Sequence, residues 1–351
     1  MKAMRYHGKH DLRVEDIPVP SVRPGTVKIK VEWTGICGTD LHEFEDGPIF
    51  CPAPGHPHPL TGESVPVVLG HELAGVIDEV GPEVAGLSVG DRVALEPLIT
   101  CGKCEYCAAD RYNLCTKAGY YGLSGWGGGF AEYVVAEAHR VHPIGDLSTE
   151  IGALVEPLAV AHHAVRRSGA KPGDTAVVFG GGPIGLFVTA VLRAIGVERV
   201  VSVEISSVRK AKAHDAGAFL VLDPTVDDVV ARVKELTGGY GADIAFECVG
   251  ASPALQSALD STRSGGTVVN VSIWGQTAEI DMFGLVMREI QLIGTSAYCN
   301  DHEAVIKLLQ EGKIQAEQFI SGRIAVDDVV EQGFRQLIEN KEENVKIIVH
   351  P

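Results

Sequence analysis

Strands and helices are predicted to alternate along the second half of the sequence, and this alternation strongly limits how the chain can fold. The apolar runs of strand length are those at 176–179, 200–203, 243–246 and 267–271. Segments of helical periodicity lie at 183–195 and 208–216, between successive runs. Repeated βαβ units of this kind form parallel sheets that are covered by helices on both faces. The sequence therefore predicts an α/β fold built on a doubly wound parallel sheet.

The first 150 residues carry a different pattern, in which short strands are separated by turns. The segment 27–31 alternates apolar and polar residues with a period of two, and the segments 73–77 and 91–95 follow turns that contain glycine or proline. Both features are typical of β structure. This part of the chain is therefore predicted to be β-rich.

Two domains are expected, because 351 residues exceed the usual size of one hydrophobic core. We place the β-rich domain at 1–152 and the parallel-sheet domain at 153–296. Residues 297–351 carry further helical stretches and a last strand, and they are predicted to return to the first domain. A helix at 151–165 is predicted to link the two domains, with Thr149 as its N-terminal cap.

Four cysteines lie within fifteen residues, with the spacing C-x2-C-x2-C-x7-C. They are Cys101, Cys104, Cys107 and Cys115. Four thiolates so close in sequence can converge tetrahedrally on one zinc ion. The spacing therefore predicts a lobe at about 100–116 that is held together by a structural zinc.

Composition argues against other uses of these cysteines. The chain opens with MKAMR and lacks the apolar core of a signal peptide, so we expect a reducing, cytoplasmic compartment in which disulfides are rare. The 46 acidic residues outnumber the 30 basic ones, and the net charge of −16 repels nucleic-acid phosphates. No stretch approaches the ~20 consecutive apolar residues of a membrane span. A soluble protein that binds neither nucleic acid nor membrane is expected.

Further residues of the types that bind zinc lie outside this lobe. Cys37 is part of the sequence GICGTD, His71 and Glu72 follow a glycine, and Glu156 precedes a proline. Together they could form a mixed site of cysteine, histidine and carboxylate ligands. A zinc ion with three protein ligands and an open position is the catalytic kind, so these residues are candidates for a catalytic zinc site.

A glycine-rich turn lies between the first strand and the first helix of the parallel sheet. Residues 180–185 read GGGPIG, a G-x-G-x-x-G motif whose glycines allow a pyrophosphate to approach the helix N-terminus. An acidic residue that ends the next strand would bind the ribose hydroxyls of NAD and repel the 2′-phosphate of NADP. NAD is therefore predicted, although Arg209 leaves NADP open. The predicted cofactor-binding residues are Gly180, Gly182, Pro183, Ile184, Gly185, Glu204 and Arg209.

In this order, the motifs resemble those of the zinc-dependent medium-chain alcohol and polyol dehydrogenases over essentially the whole chain. The matching segments are 35–38, 70–72, the four-cysteine lobe, 156–157 and 180–185. The resemblance implies a GroES-like catalytic domain, a Rossmann NAD-binding domain, and two zinc ions per subunit. Glu156 and the segments 47–61 and 271–274 look most like the (R,R)-2,3-butanediol dehydrogenase branch. That branch implies hydride transfer between NAD and a small vicinal diol or acyloin, with (2R,3R)-2,3-butanediol and acetoin as the pair.

The resemblance also implies roles for the ligand residues. Zinc held by Cys37, His71 and Glu156 would bind the alcohol oxygen and lower the pKa of the hydroxyl. Glu72 is either a partner behind the histidine ligand or an alternating ligand of the catalytic zinc. The second hydroxyl of a diol could meet Glu156, His58 or a zinc-bound water.

A proton relay is implied for Thr39 and His42. Thr39 is similar to the residue that contacts the substrate oxygen, and His42 is similar to the residue that carries the proton onward. The alternatives are a helix cap for Thr39 and a solvated loop histidine for His42. The candidate apolar walls of the pocket, with core packing as the alternative, are Phe44, Phe50 and Trp126.

Two other functions remain as alternatives. A sorbitol or xylitol dehydrogenase would use the same metal and cofactor on a longer polyol. A non-catalytic relative that only binds nucleotide would be expected to lose a zinc ligand or Thr39, and this chain keeps them. The family implies a homodimer or homotetramer, for which the apolar segment 290–293 could serve as a pairing edge or else be an internal strand. The residues interpreted as structural are Cys51, Cys248, Cys299, His56, His162 and His163.

Overall fold

The computed structural model describes residues 1–340 and 342–351. The strands, in chain order, are β1 (Lys2–Gly8), β2 (Asp11–Asp16), β3 (Thr26–Gly35), β4 (Val67–Val68), β5 (Glu72–Val80), β6 (Arg92–Leu95), β7 (Leu98–Ile99), β8 (Gly119–Tyr120), β9 (Tyr133–Glu137), β10 (Val141–Pro143), β11 (Thr175–Phe179), β12 (Arg199–Val203), β13 (Leu220–Leu222), β14 (Ala242–Glu247), β15 (Thr262–Asn270), β16 (Gln291–Gly294), β17 (Ile320–Ala325) and β18 (Lys346–His350). The α-helices are α1 (Gly38–Asp46), α2 (Glu105–Ala108), α3 (Thr149–Gly152), α4 (Val155–Ser168), α5 (Pro183–Ala194), α6 (Ser207–Asp215), α7 (Val229–Leu236), α8 (Ser252–Ser261), α9 (Met282–Met287), α10 (His302–Gln310) and α11 (Arg335–Glu339). A π-helix, Val329–Phe334, leads into α11. None of the helices within the described residues combines the length and the apolar character that a membrane crossing requires.

The chain divides into two compact units. The first comprises Met1–Glu156, His302–Gln310 and Ile320–Pro351, and the second comprises Pro157–Asp301 and Glu311–Phe319. The chain therefore leaves the first unit after residue 156 and returns to it twice. The domain boundaries given above from the sequence stay a prediction.

A mixed β-sheet forms the centre of the first unit, with the strand order β10-β6-β5-β3-β18-β17 and with β9 also paired to β3. Period-two alternation places Val27, Ile29 and Val31 of β3 in the core. In the register of this sheet, Gly35 pairs with both Glu72 of β5 and Ile348 of β18. The end of β3 and the starts of β5 and β18 therefore meet at one end of the sheet.

A six-stranded parallel sheet forms the second unit, in the order β13-β12-β11-β14-β15-β16. Helices α5 and α6 follow β11 and β12 along the chain, which confirms the predicted α/β class and its doubly wound sheet. Strand β11, which lies inside the sheet, is buried along its whole length, as its unbroken apolar run requires. The apolar segment predicted at 290–293 forms β16, which is an edge strand of this sheet.

The predicted single helix at 151–165 is wrong in two respects. The chain forms two helices there, α3 and α4. The N-terminal cap of α3 is Ser148, whose backbone is extended and whose Oγ accepts the N–H of Ile151 at 3.3 Å. Thr149 is the first helical residue, and its hydroxyl donates to Glu32 at 2.6 Å. The break leaves Glu156 in the first turn of a new helix.

Candidate metal and nucleotide sites

The four-cysteine lobe brings its sulfur atoms together as predicted from the spacing. All four Sγ atoms lie within 4.8 Å of one another. Cys107 Sγ lies 3.5 Å from Cys104 Sγ and 4.0 Å from Cys101 Sγ. Sulfur atoms that are each about 2.3 Å from a tetrahedral zinc ion are themselves about 3.8 Å apart. The arrangement therefore fits one zinc ion.

Electrostatics in the lobe also favours a cation. Hydrogen bonds from the backbone N–H groups of Cys107 and Thr116 lower the pKa of Cys104 to about 6. Burial, and then the neighbouring Cys104 and Cys115, raise the pKa of Cys107 to about 12. Repulsion between neighbouring thiolates disfavours ionisation of all four cysteines at this distance. A bound divalent cation would offset that repulsion.

A second group of ligand atoms lies at the end of the first unit's sheet. Cys37, His71 and Glu72, here called the Cys37 cluster, each offer one ligand atom within 4.8 Å of the others. Cys37 follows β3 and is the N-terminal cap residue of α1, while Glu72 is the first residue of β5. Sulfur, imidazole and carboxylate donors are the set that zinc accepts. The sequence prediction that these residues come together is thus matched by their positions.

Asp40 supports this cluster from behind, and the sequence reasoning missed it. Its Oδ2 accepts the backbone N–H of Cys37 at 2.9 Å, and its Oδ1 lies 3.5 Å from Nδ1 of His71. A carboxylate behind one imidazole nitrogen directs the other nitrogen toward a metal. The only signal in the sequence was an acidic residue three positions after the N-cap, which is the spacing of a capping box.

The surroundings of His71 are anionic. Burial alone would lower the pKa of this imidazole, but Asp40 and Cys37 raise it well above its ordinary value. Groups that stabilise a positive charge on His71 also attract a metal cation to the same position. The donor set and the charge of the Cys37 cluster therefore both fit zinc.

Glu72 is held by a residue from the far end of the chain. Both of its carboxylate oxygens accept hydrogen bonds from Nζ of Lys346, at 2.7 and 2.8 Å, and Lys346 also donates to the carbonyl of Ile36. Gly35 leaves room for the carboxylate, since a Cβ there would lie 1.9 Å from Oε2 of Glu72. The choice between a supporting partner and an alternating ligand stays open for Glu72.

Glu156 lies near the Cys37 cluster but is not among its close ligand atoms. It is buried in the first turn of α4. Burial, followed by the charge of Glu156, raises the pKa of Tyr120 to about 12, and His71 acts on the same phenol in the opposite direction. Both groups are therefore neighbours of Tyr120. Ligation of zinc by Glu156 stays a prediction.

The residues proposed for the proton relay lie on α1. The Thr39 hydroxyl is 3.6 Å from Sγ of Cys37, and Cys37, not Thr39, occupies the N-cap position. His42 lies three residues further along the same helix and is exposed. The cap alternative for Thr39 is therefore wrong, whereas its role in a relay is untested.

Other candidate pocket residues divide between core and surface. Phe44 is buried and packs edge to face on Phe334, which supports the alternative of core packing. Phe50 is exposed, and Trp126 packs beside Tyr121 with the guanidinium of Arg23 over its ring. Nε2 of His58 lies 3.2 Å from the carbonyl oxygen of Ala118.

The glycine-rich turn of the second unit has the geometry expected at a nucleotide site. Gly180 has a φ of +97°, which favours glycine, and a Cβ on Gly185 would lie 1.8 Å from the carbonyl oxygen of Gly180. Gly182 is the N-cap residue of α5, with Pro183 in its first turn. The helix N-terminus is therefore open to an anion, as a pyrophosphate site requires.

Glu204 stands beside this turn. Its carboxylate accepts hydrogen bonds from the backbone N–H groups of Gly181 at 2.6 Å, Ile205 at 2.7 Å and Ser206 at 2.8 Å. These bonds fix a negative charge next to the glycine-rich loop. Arg209 lies five residues further on in α6, after the Ser206 cap.

Comparison with known proteins agrees with this description of the two units. Residues 23–146 match the alcohol dehydrogenase GroES-like domain, and residues 183–311 match the zinc-binding dehydrogenase family. The chain belongs to the zinc-binding dehydrogenases that carry a GroES-like domain. The predicted family and fold class are thereby confirmed.

Particular relatives extend over the whole chain. The chain is 49% identical to the (R,R)-butanediol dehydrogenase of Neisseria gonorrhoeae, with 100% of this chain and 99% of the relative covered. The crystal structure of 2R,3R-butanediol dehydrogenase from Bacillus subtilis superposes with a TM-score of 0.94 at 45% identity, covering 100% of this chain and 99% of that chain. The sorbitol dehydrogenase of Bacillus subtilis is 33% identical, with 100% of this chain and 97% of the relative covered.

Proposed function

We propose that this protein catalyses the NAD-linked interconversion of (2R,3R)-2,3-butanediol and acetoin, and reduces diacetyl in the reverse direction. The observation that most directly supports this proposal is the Cys37 cluster, a compact set of sulfur, imidazole and carboxylate donors. Identity of 49% across the full length to a butanediol dehydrogenase supports the substrate, and the sorbitol relative is more distant at 33%. A sorbitol or xylitol dehydrogenase is the competing assignment.

The chain's own residues supply positioning and proton transfer in this proposal. When bound, zinc supplies Lewis acidity that lowers the pKa of the substrate hydroxyl, and NAD accepts the hydride. Thr39, beside Cys37, accepts the hydroxyl proton and at the same time gives up its own hydroxyl proton. His42 lies on the same face of α1, because residues three apart on a helix are neighbours, and its exposure lets it pass the proton to solvent. Glu156 completes the set of protein ligands.

Cofactor choice is assigned to Glu204. Its three backbone hydrogen bonds hold the carboxylate in place, so a 2′-phosphate would approach a fixed negative charge. The ribose hydroxyls of NAD instead donate hydrogen bonds to such a group. NAD is therefore preferred over NADP, and one catalytic and one structural zinc complete the cofactor set.

A homodimer or homotetramer is part of the proposal. Strand β16 exposes one edge of the six-stranded sheet, and α9 precedes it in the chain. Helix α9 carries apolar side chains that are more than half exposed: Met282, Phe283, Val286 and Met287. An unpaired strand edge with an apolar patch of this kind is a surface that a second copy would cover. The cytoplasmic location is proposed because none of the eight cysteines forms a disulfide.

The direct test compares kcat/KM for (2R,3R)-butanediol, its meso and (2S,3S) isomers, and sorbitol, each with NAD and with NADP. We expect the (2R,3R) diol with NAD to give the highest value. A preference for sorbitol would replace the substrate and keep the metal assignment, and turnover of none of the four would favour the non-catalytic relative.

Two variants test the proposed relay. Thr39→Ala removes the hydroxyl and is expected to lower kcat by a factor of about 10² to 10⁴, whereas Thr39→Ser keeps it. Equal rates in the two variants would remove Thr39 from the relay.

A further inference from the structure

A third group of metal-binding side chains lies in the first unit. Glu96, His142 and His302, here called the third cluster, each offer one ligand atom, and these atoms lie within 4.8 Å of one another. Glu96 directly follows β6, His142 lies in β10, and His302 is the first residue of α10. None of them belongs to the four-cysteine lobe or to the Cys37 cluster. We propose that the third cluster binds one divalent transition-metal ion, and that zinc is the ion its donors suit.

Distances within the third cluster are those of a metal site. Oε2 of Glu96 lies 3.3 Å from Nε2 of His142 and 3.7 Å from Nδ1 of His302. Oxygen and nitrogen ligands that are about 2.0–2.2 Å from a tetrahedral zinc ion are separated by about 3.3–3.6 Å. The two imidazole centroids are 5.2 Å apart, and two imidazoles on one tetrahedral ion require roughly 5 Å. One ion can therefore reach all three groups.

Glu96 and His142 each have a charged neighbour on the side that faces away from the ion. The second oxygen of Glu96, Oε1, accepts a hydrogen bond from the guanidinium of Arg140, which leaves Oε2 directed at the histidines. Arg140 is itself held by the hydroxyl of Thr100 at 3.0 Å and lies 4.3 Å from the ring centroid of Tyr112. Nδ1 of His142 is 4.0 Å from a carboxylate oxygen of Glu303. Carboxylate and guanidinium partners in these positions orient metal ligands.

The third cluster is largely shielded from solvent. Glu96 and His302 are buried, with 3% and 0% of their surface exposed, and the side chain of His142 is 15% exposed. Glu303, next to His142, is a solvent-facing carboxylate that can attract a cation. Three protein ligands leave a fourth position for water. A bound ion would join α10 to β6 and β10, and because the unfolded chain lacks the site it would stabilise the folded state.

Metal content measures this site without reference to activity. The wild type, His142→Gln and His302→Gln are dialysed against a small excess of Zn²⁺, and zinc per chain is measured by mass spectrometry. We expect both variants to hold one zinc ion fewer per chain than the wild type. His56→Gln is the matched control, because His56 is exposed and belongs to none of the clusters. Equal zinc content in the wild type and both ligand variants would overturn the proposal.

Two further measurements keep the proposal testable if His302→Gln does not fold. Once the four-cysteine lobe and the Cys37 cluster are filled with zinc, further Zn²⁺ is expected to raise the Tm of the wild type and of His56→Gln, but not that of the less buried His142→Gln variant. Co²⁺ added to protein whose two cysteine-containing sites already hold zinc is expected to show d–d absorption without a thiolate charge-transfer band, because the ligands of the third cluster are nitrogen and oxygen. A Zn²⁺ response of Tm that is the same in wild type and His142→Gln would reject the site even if the proposed dehydrogenase activity holds.

Discussion

Lys346 donates hydrogen bonds to both carboxylate oxygens of Glu72, at 2.7 and 2.8 Å, across 274 positions of sequence. Both side chains are almost fully buried. Burial alone would lower the pKa of Lys346, but the charge of Glu72 and then that of Cys37 raise it. Lys346 is therefore a charged ammonium that balances the anionic end of the sheet.

Replacing Lys346 is expected to damage this end of the sheet. Lys346→Met leaves Glu72 buried without its counter-charge, and removal of one partner from a buried pair costs roughly 3–5 kcal/mol. The free energy of unfolding from urea titration should fall by that order. Lys346→Met combined with Glu72→Gln should recover part of the loss, since the uncompensated charge is then gone. Additive losses in the double variant would show that the pair is not coupled.

Loss of a cysteine ligand is expected to have different effects at the Cys37 cluster and at the four-cysteine lobe. Cys37→Ala should abolish turnover and lower metal content by the catalytic zinc, while leaving the four-cysteine lobe folded. Cys104→Ala should mainly lower Tm and remove the structural zinc, because that lobe depends on its metal for folding. Metal analysis and thermal unfolding of both proteins distinguish the cases. Identical losses of both zinc ions in the two variants would contradict this division.

Two glycines of the nucleotide turn should respond differently to alanine. Gly185→Ala places a Cβ 1.8 Å from the carbonyl oxygen of Gly180, so the turn must shift, and we expect lower Tm and loss of NADH binding. Gly182→Ala meets nothing within 4 Å, so its Tm should stay close to wild type while its affinity for NADH falls. Thermal unfolding and NADH fluorescence titration measure both effects. Unchanged NADH affinity in Gly182→Ala would place the pyrophosphate elsewhere.

Asp301 gives the second unit a predictable dependence on pH. Its carboxylate lies 2.6 Å from Nδ1 of His162 and 2.9 Å from Nδ1 of His163, and it accepts hydrogen bonds from Arg166 and from the N–H of Cys299. Burial opposes its ionisation, but these partners lower its pKa well below the ordinary value of 3.8. Its contribution to stability is therefore complete above pH 3.8 and is lost as the pH falls further.

Asp301→Asn tests this dependence. At pH 7 the variant should unfold at a lower temperature than the wild type, because the histidines and Arg166 have lost the carboxylate charge with which they interact. The difference in Tm should hold from pH 7 to about 4 and should shrink as the pH falls below about 3.8. Asp215→Asn, an exposed residue of the same unit, is the control and should show a small difference at every pH. A gap that is constant across this range would assign the effect to packing instead of charge.

Glu43 is expected to position the segment at 47–51. Its buried carboxylate accepts the N–H groups of Ile49 at 3.0 Å and Cys51 at 3.1 Å, and also that of Phe50. Glu43→Gln replaces one acceptor oxygen by a donor, so one or more of these bonds is lost, at about 1.5–3 kcal/mol each for a charged acceptor. We expect faster proteolysis within 47–51 and a higher KM, with Glu45→Gln as the control. Unchanged proteolysis would show that other contacts hold the segment.

Much of the fold could be predicted because local signals agree with it. The apolar runs of β11, β12 and β14 are each long enough for one buried strand, and the glycine-rich turn at 180–185 lies between a strand and a helix. The helix at 151–165 was mispredicted because Ser148 and Thr149 are both good caps, and only the tertiary contact to Glu32 distinguishes them. Local sequence does not record that contact.

The site was predictable where its residues form short motifs and unpredictable where they do not. The four cysteines and Cys37, His71 and Glu72 carried recognisable spacing, and they lie in two clusters as expected. Lys346 was missed, because its partner is 274 positions away and a lysine in a C-terminal strand has no distinguishing pattern. Only the register of β18 on β3 places it beside Glu72.

The pairing of β18 with β3 also determines when the sheet of the first unit can be completed during synthesis. Strand β18 lies between β3 and β17 in the sheet, and it carries Lys346 to Glu72. On the ribosome, residues 1–156 emerge first but keep an open edge on β3 until residues 346–350 have left the exit tunnel. The parallel sheet of the second unit has all its strands once Gly294 has emerged. The later part of the nascent chain can therefore fold before the earlier part is finished.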